Sequence, residues 1–556
     1  MRIASRYVAA ALAAVLLPAS ARAQVDAGAE AFRRQEQREA IERERIAPQP
    51  EVALPRPDVP SPEALPDERP CFRIDRIALT GAEGRLAWLG REAARYAGRC
   101  LGVRGVNAVA GALQAALIGR GLVTTRIAVP EQDLSGGTLE LAVIPGRVGE
   151  VRFAEPQSHA TLANAFTMPE GALLDLRDLE QGLEQMKRLP SQDVEIDIVP
   201  GTEPGVSDVV VRRAAGRPVR GIVAVDDAGQ KATGKYQASA TLAIDGPLGL
   251  NDLFYVSHNQ ALDRGGGSRD SRGTNGYYSI PYGWWTVSFG AADFDFRQTI
   301  QGVAQTFVNS GETQTLDLRI ARIVQRTQVS RTGVQFRVQR RRSSAFVEDV
   351  EIVAQRRRVS AAELSLQHRH RVADALVDVS VAYRQGVPWF DAEDPAPDAG
   401  PDTPDPRYRL ATLELLVAVP FEVAMLPLRY QGVVRAQYTN DALFAQDFFA
   451  IGSRYTVRGF DGERTLAADR GWLIRNELAT PIPIPGHEVY AGIDHGEVGG
   501  PFSRVLAGTR LTGAVAGLRG GFRGLLYEGF VGWALAKPEG YTSKSPTLGF
   551  QVLYSF

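Results

Sequence analysis

The chain has 556 residues, with 63 basic and 64 acidic side chains. That length allows several domains, and the balanced charge supplies no global field for nucleic acid or for a strongly acidic partner. Lysine stands only at positions 187, 231, 235, 537 and 544, so the basic residues are nearly all arginine, which reads as codon bias rather than a guanidinium-specific surface.

The N-terminus has the three parts of a signal peptide over residues 1–23. Arg2 and Arg6 form a basic region, Tyr7 to Leu17 an apolar core, and Ala21-Arg22-Ala23 a small-residue cleavage site, so the mature chain is expected to begin at Gln24. The apolar core is too short for a membrane-spanning helix, which needs about 20 residues. Beyond it no run of about 18 apolar residues occurs. An exported chain without a helical anchor is soluble in the periplasm, secreted, or an outer-membrane barrel.

Residues 24–46 suit a polar helix, clearest from Asp26 to Ile46. Phe32 and Ile41 are nearly alone among charged residues, and Glu30–Arg34 and Glu39–Arg43 have the favourable i,i+4 spacing. Lacking an apolar face, such a helix is either solvated or lodged in a polar channel. Residues 47–70 hold eight prolines and read as an extended linker.

Residues 71–146 read as a compact β-α-α-β-β unit. Phe72 to Leu79 alternate as a strand, Leu86, Leu89, Ala93 and Tyr96 repeat at helical spacing, and Asn107 is the expected cap of a second helix ended by Gly121. Strands are expected over Val123–Val129 and Thr138–Ile144. The only cysteines are Cys71 and Cys100; in an oxidising compartment an even pair reads as a disulfide, and no C-x-x-C spacing supports redox work. Residues 147–217 repeat the same order. A strand at Val148–Phe153 and a short helix at Ala160–Phe166 precede a longer helix capped by Asp175, with Leu176, Leu179, Leu183 and Met186 on one face. Strands Val194–Val199 and Asp208–Arg213 close the unit.

From 218 to 556 the pattern changes. Tyr236, Ala238, Ala240, Leu242 and Ile244 alternate with more polar neighbours, as do Val377, Val379, Val381 and Tyr383, and Leu428, Tyr430, Val434 and Tyr438. At the end Leu548, Phe550, Val552, Tyr554 and Phe556 share one face. Apolar-out, polar-in strands of about 9–11 residues are the outer-membrane barrel pattern, here with about 16 antiparallel strands. The expected fold class is therefore two α+β repeats followed by a transmembrane β-barrel.

Several segments resemble the transporter of two-partner secretion systems, the TpsB family related to the barrel-assembly machinery. They are Val129 to Leu134 with Pro145-Gly146, Asp226 to Gln237, Gly246 to Asp252, Gly452 to Phe460, and Gly492-Ile493-Asp494-His495-Gly496. The resemblance spans nearly the whole mature chain, and the paired cysteines suggest the haemolysin and contact-dependent-inhibition branch. It implies that the two repeats are POTRA domains and that a loop over about 452–470 folds into the lumen. There Val457, Arg458, Gly459 and Phe460 would meet Gly492, Asp494 and Gly496, with Arg458 on Asp494. It also implies an unfolded exoprotein as partner, outer-membrane lipid around the barrel, Phe556 as C-terminal signal to the barrel-assembly machinery, and a polar helix that occupies the resting lumen.

Other candidates carry less. His368 and His370 share a strand face without a third ligand. Gly265-Gly266-Gly267 lacks the residues of a phosphate cradle, and Gly517 to Gly524 reads as a barrel strand because no helix follows. No G-x-S-x-G elbow occurs. The expectation is a transporter without cofactor, metal or nucleic-acid partner, and not an enzyme. An insertase on the same fold is the first rival, disfavoured by the short array of repeats and the polar helix. A passive porin does not need the repeats, and a barrel hydrolase would need a nucleophile arrangement that is not evident.

Overall fold

A computed structural model describes residues 19–47, 51–54, 65–157, 159–302, 305–398 and 400–556. Most of the signal-peptide expectation and much of the linker lie outside the described residues. The first helix spans Ala19–Ile46 and so starts ahead of the expected mature terminus.

The first α/β domain places Arg76–Thr80 parallel to Thr138–Ile144, with Arg126–Ala128 antiparallel on its other side. The expected first strand is split at Asp75. Its first half, Phe72–Ile74, pairs instead with the short strand Arg99–Leu101. Cys71 and Cys100 are disulfide-bonded beside this pair, their Cα atoms 5.4 Å apart. Helix Val103–Gly119 starts at Gly102, not at Asn107, which lies inside it. The cap comes from far along the chain: the Glu68 carboxylate accepts the backbone N–H groups of Gly102 (2.9 Å), Arg104 (3.1 Å) and Gly105 (2.5 Å). These are orphan donors of a first turn, and a carboxylate also suits the positive end of the helix dipole.

The second domain has sheet order Arg147–Phe153, Val206–Ala215, Gln192–Pro200. Helix Leu176–Lys187 is capped by Asp175, whose side chain accepts from Arg177 N at 3.0 Å. Leu176, Leu179, Leu183 and Met186 enter the core. The expected helix at Ala160–Phe166 is a series of turns. So short a segment gains few helical hydrogen bonds against the nucleation cost, and this one is tied to the barrel instead. Asn251 Nδ2 donates to Thr161 O at 2.9 Å, and Asn164 Nδ2 donates to Pro281 O at 3.1 Å.

Sixteen antiparallel strands then close into a barrel, the first being Val219–Asp226 and the last Thr547–Ser555. The seam pairs Gln551 with Asp226 through Ser555 with Ile222, and Phe556 and Gly221 exchange two backbone bonds of 3.0 Å. A Cβ on Gly221 would lie 2.4 Å from the Phe556 ring, which would have to turn aside to admit it. Along Gln237–Asp245, Gln237, Thr241 and Asp245 are buried inside, while Leu242 is exposed on the outer wall. Strand lengths depart from expectation, running from 8 residues at Val219–Asp226 to 21 at Thr306–Arg326. On this side the outward row Ile320, Leu318, Leu316 gives way to Gln314 and Glu312, so the ladder continues in polar sequence past the apolar band.

Two measurements check this domain. Cys71→Ser should remove about 3–4 kcal/mol from the first α/β domain by releasing its denatured loop, seen as faster amide exchange over residues 72–144 with barrel amides unchanged. Glu68→Gln should speed exchange at Gly102, Arg104 and Gly105. Desolvation raises the Glu68 pKa, but the three N–H donors outweigh it and hold the carboxyl below its ordinary range. The cap should therefore be intact above that range and be lost as the pH falls through the lowered folded value.

Candidate functional site: the barrel lumen

The loop joining strands Leu426–Tyr438 and Arg470–Pro481 turns inward and makes its own two-stranded ribbon, Phe449–Ile451 with Leu466–Ala468. Its apolar side is a small core of Ile451, Val457, Phe460, Leu466 and Ala468 against Leu473, Val498, Leu511 and Tyr541. Phe460 meets Tyr541 edge-on at 5.8 Å. Asp461 accepts Ser543 Oγ (3.1 Å) and Lys544 N (2.9 Å), tying the tip to an outer loop.

Arg458 is held on several sides. Its Nε donates to Asp494 Oδ2 (2.7 Å) and its Nη2 to Asp494 Oδ1 (3.0 Å), while its own backbone N also donates to Asp494 Oδ2 (3.0 Å). The planar fork suits such a two-oxygen contact. Arg458 is 6% exposed and Asp494 0%. Arg458 Nη1 also donates to Glu477 Oε2 at 2.5 Å. Glu477 in turn accepts Arg519 Nη2 at 2.6 Å, and Glu488 takes Arg519 and Arg429. The result is a chain of alternating charges down the inner wall.

Glycines make room for it. Gly492 and Gly496 flank Asp494 on the inward row, where a Cβ would lie 2.8 Å from Arg458 Nη2 and 2.9 Å from Val457 Cγ2 respectively. Two further glycines matter that sequence reading did not single out for the site. Gly513 lies opposite Asp494 in register, and a Cβ there would stand 1.9 Å from Arg458 O. Gly459, at φ 101°, passes against Gly532, where a Cβ would meet Gly459 Cα at 2.8 Å. Glu477 was also missed. Its signal was the inward period-two row Leu473, Arg475, Glu477, Ala479.

The N-terminal helix fills much of the remaining lumen. Arg34 donates to Glu30 (2.9 Å) and Ala228 O (3.1 Å), and also to Gly462 O of the inward loop. Thr465 Oγ1 donates to Glu30 Oε2 at 3.0 Å, and Arg38 pairs with Asp226 at 3.3 Å. Lower down, Ser257 Oγ donates to Glu42 Oε1 at 2.7 Å, and Ile46 packs against Ala243 and Tyr255. Apart from the Ala31–Phe32 contact with Phe294 and Ile46, the helix is held by polar groups. Its first described side chains face the outer loops and Ile46 the periplasmic mouth. His368 and His370 stack 5.9 Å apart, with His368 hydrogen-bonded to Thr332. Among the described residues no group of His, Cys, Asp and Glu is arranged to hold a metal.

A closed barrel of this kind, with two tandem α/β domains before it and an inward loop clamped to its wall, defines an outer-membrane POTRA-barrel transporter. The chain belongs to the haemolysin secretion/activation protein family ShlB/FhaC/HecB, whose profile matches residues 205–520, with POTRA profiles over 72–146 (ShlB-type) and 147–200. It is 40% identical over 563 residues to the outer membrane transporter CdiB-2 of Burkholderia pseudomallei strain 1026b, covering 97% of this chain and 95% of that protein. Its fold is similar to CdiB from Escherichia coli (TM-score 0.86, 28% identity, 95% of this chain and 99% of that one). CdiB from Acinetobacter baumannii is similar as well (TM-score 0.82, 26% identity, with the same coverage). The protein is an outer-membrane transporter of two-partner secretion with its POTRA domains in the periplasm.

The charge chain makes an asymmetric prediction. Asp494→Ala leaves Arg458 with Glu477, whereas Arg458→Ala leaves the fully buried Asp494, among the described residues, with no cation closer than Arg475 at 3.9 Å, Glu477 keeping Arg519. Loss of a well-buried partner costs roughly 3–5 kcal/mol, falling towards about 1 kcal/mol where water reaches the pair. Arg458→Ala should therefore destabilise the inward loop more than Asp494→Ala, read as amide exchange at Val457–Phe460, with barrel folding unchanged. Equal, additive effects would show that the two residues do not act as a pair.

Proposed function

We propose that the periplasmic domains capture an unfolded exoprotein of the haemolysin, adhesin or contact-dependent-inhibition toxin type and pass it out through the lumen after the helix leaves. The observation that carries this is the character of the helix's contacts: hydrogen bonds and ion pairs in a polar channel, which water can replace at low net cost. An apolar seat would resist release more strongly. The sheets offer edges for capture, Gln192–Pro200 being the longest, and an extended cargo segment can add to such an edge by main-chain hydrogen bonds. The Arg458–Asp494 clamp keeps the inward loop against the wall, so that the passage is bounded when the helix is out. Folding of the cargo outside then opposes its return. Cys71–Cys100 braces the outermost domain, and Phe556 at the seam serves the barrel-assembly machinery during biogenesis.

Deleting residues 24–46 should raise the ion conductance of the protein in planar bilayers, whereas unchanged conductance would sink the plug assignment. In cells, co-expression with a candidate exoprotein of the two-partner type should give surface export that Arg458→Ala abolishes at normal barrel levels. Export that continues in that variant would overturn the role given to the clamp, and no export by the unaltered protein would overturn the transport of that partner.

A further inference from the structure

Two arginine triplets, Arg340-Arg341-Arg342 and Arg356-Arg357-Arg358, fall on or beside neighbouring barrel strands, Ser330–Val347 and Arg357–Val372. Gly283 O accepts from Gln185 of the second POTRA domain at 2.8 Å, which makes that end of the barrel periplasmic. Val334 is level in register with Trp285 beside this turn, through Arg322. Arg340 and Arg342 stand about 20–27 Å further along the strand, towards the cell exterior. The middle residue of each triplet faces the lumen. Arg341 Nη1 donates to Asp447 Oδ1 at 3.1 Å, and Arg357 lies 5.1 Å from the Phe444 ring, both partners belonging to the inward loop. Alternation then puts Arg340, Arg342 and Arg358 on the outer wall.

These three guanidinium groups border the apolar band. Before them the outward rows are Val334, Phe336 and Val338 on one strand and Leu366, Leu364 and Ala362 on the next, in register. A charge on such a wall is tolerated only near the headgroups. Arg342 stands directly opposite Arg358, a like-charge pair that disfavours the ladder unless an anion answers it. The chain answers only in part. Asp391 is 3.6 Å from Arg342, with side chains 75% and 45% exposed. Among the described residues neither Arg340 nor Arg358 has an ion-pair partner, and Arg340 Nε is buried without an acceptor. Beside the arginines the wall is hollowed where Gly276 faces Ala291. The space, about 350 Å³, is lined by these two with Leu316, Arg340 and Arg342, and by Asp293 two strands from the arginines. Glu312 also lies outward on the intervening strand, so the cationic surface is confined to the two arginine strands.

We propose that Arg340, Arg342 and Arg358 bind the phosphorylated sugar of an outer-leaflet glycolipid of the lipid A type, whose acyl chains lie along Val338, Phe336 and Leu364. The surroundings select such a ligand. It has to be anionic, and its first polar group has to sit level with the end of an apolar wall. It also has to present oxygens to planar forks, which phosphate does. The hollow beside Arg340 and Arg342 admits a sugar. A phospholipid brings a phosphate without that sugar, and free phosphate has no chains to hold it against the band. The inference depends on the position of the barrel in the outer membrane and not on the transport reading.

The test is native mass spectrometry of the full chain in detergent with added bisphosphorylated lipid A. Arg340→Gln, Arg342→Gln and Arg358→Gln together should weaken binding on the order of tenfold, as the loss of three partly exposed ion pairs would. The matching triple Lys variant keeps the charges without the forks and should fall between. Arg322→Gln, at an outward arginine level with Trp285 at the periplasmic end, should change nothing. Heat-modifiable gel migration checks that each barrel is folded. If the triple variant does not fold, Arg340→Gln and Arg358→Gln taken singly should each weaken binding about two- to threefold. On the unaltered protein, lipid A stripped of its phosphates should bind as poorly as the intact lipid does to the triple Gln variant. Phosphatidylglycerol should not distinguish the two proteins, and inorganic phosphate should not displace lipid A. Equal lipid A binding by the unaltered and Gln proteins, binding indifferent to the phosphates, or an equal loss with Arg322→Gln would overturn the proposal. So would displacement by inorganic phosphate, or phosphatidylglycerol distinguishing the two proteins as strongly as lipid A does.

Discussion

Hydrocarbon offers no water to satisfy a free N–H or C=O, so the edge of Val219–Asp226 must be taken up by Thr547–Ser555. Closure follows from that requirement, and so does much else. With sixteen strands the barrel is wide enough to leave a polar interior, and polar groups lining it need partners. The inward loop and the N-terminal helix supply them, the first through Arg458 and the second through residues such as Glu30, Arg34 and Glu42. Two kinds of contact result. The loop has an apolar core of its own behind the ion pair, whereas the helix is held mainly by hydrogen bonds and ion pairs.

The rim of the barrel repeats this division of labour on the periplasmic side. Helix Leu176–Lys187 turns its leucines to the domain core and its glutamates and glutamines to the barrel. Gln185 donates to Gly283 O at 2.8 Å and Trp284 Nε1 donates to Asp178 at 3.0 Å. A helix that looks amphipathic is in fact covered on both faces, by like materials on one side and by complementary charges on the other.

Much of this was legible because periodicity carries it. Period two marked the barrel strands and placed Phe550, Val552 and Tyr554 on one wall, and period 3.6 marked the helix with Leu176, Leu179, Leu183 and Met186. What could not be read were contacts set by distant residues. Asn107 looked like a cap, but Glu68 starts the helix earlier by satisfying its first N–H groups from across the fold. Ala160–Phe166 looked helical, but Asn164 is tied to barrel turns. At the lumen site the family motif led to Arg458 and Asp494. Gly513 and Gly532 looked like any strand glycines until the path of Gly459 between them was known.

Lysine is scarce in the chain, standing at five positions. Apart from Lys231, 3.7 Å from Glu463 of the inward loop, the cations named in the contacts of the helix, the inward loop and the rim are guanidinium groups: Arg34, Arg38, Arg326, Arg341, Arg458 and Arg519. A guanidinium does not release its proton under biological conditions, whereas an imidazole changes charge near neutrality. None of these clamps uses histidine. An outer membrane faces whatever acidity its surroundings impose, and over mild excursions the cationic half of every clamp keeps its charge. Acid can therefore reach these contacts only through their carboxylates, which must be protonated before a pair is lost.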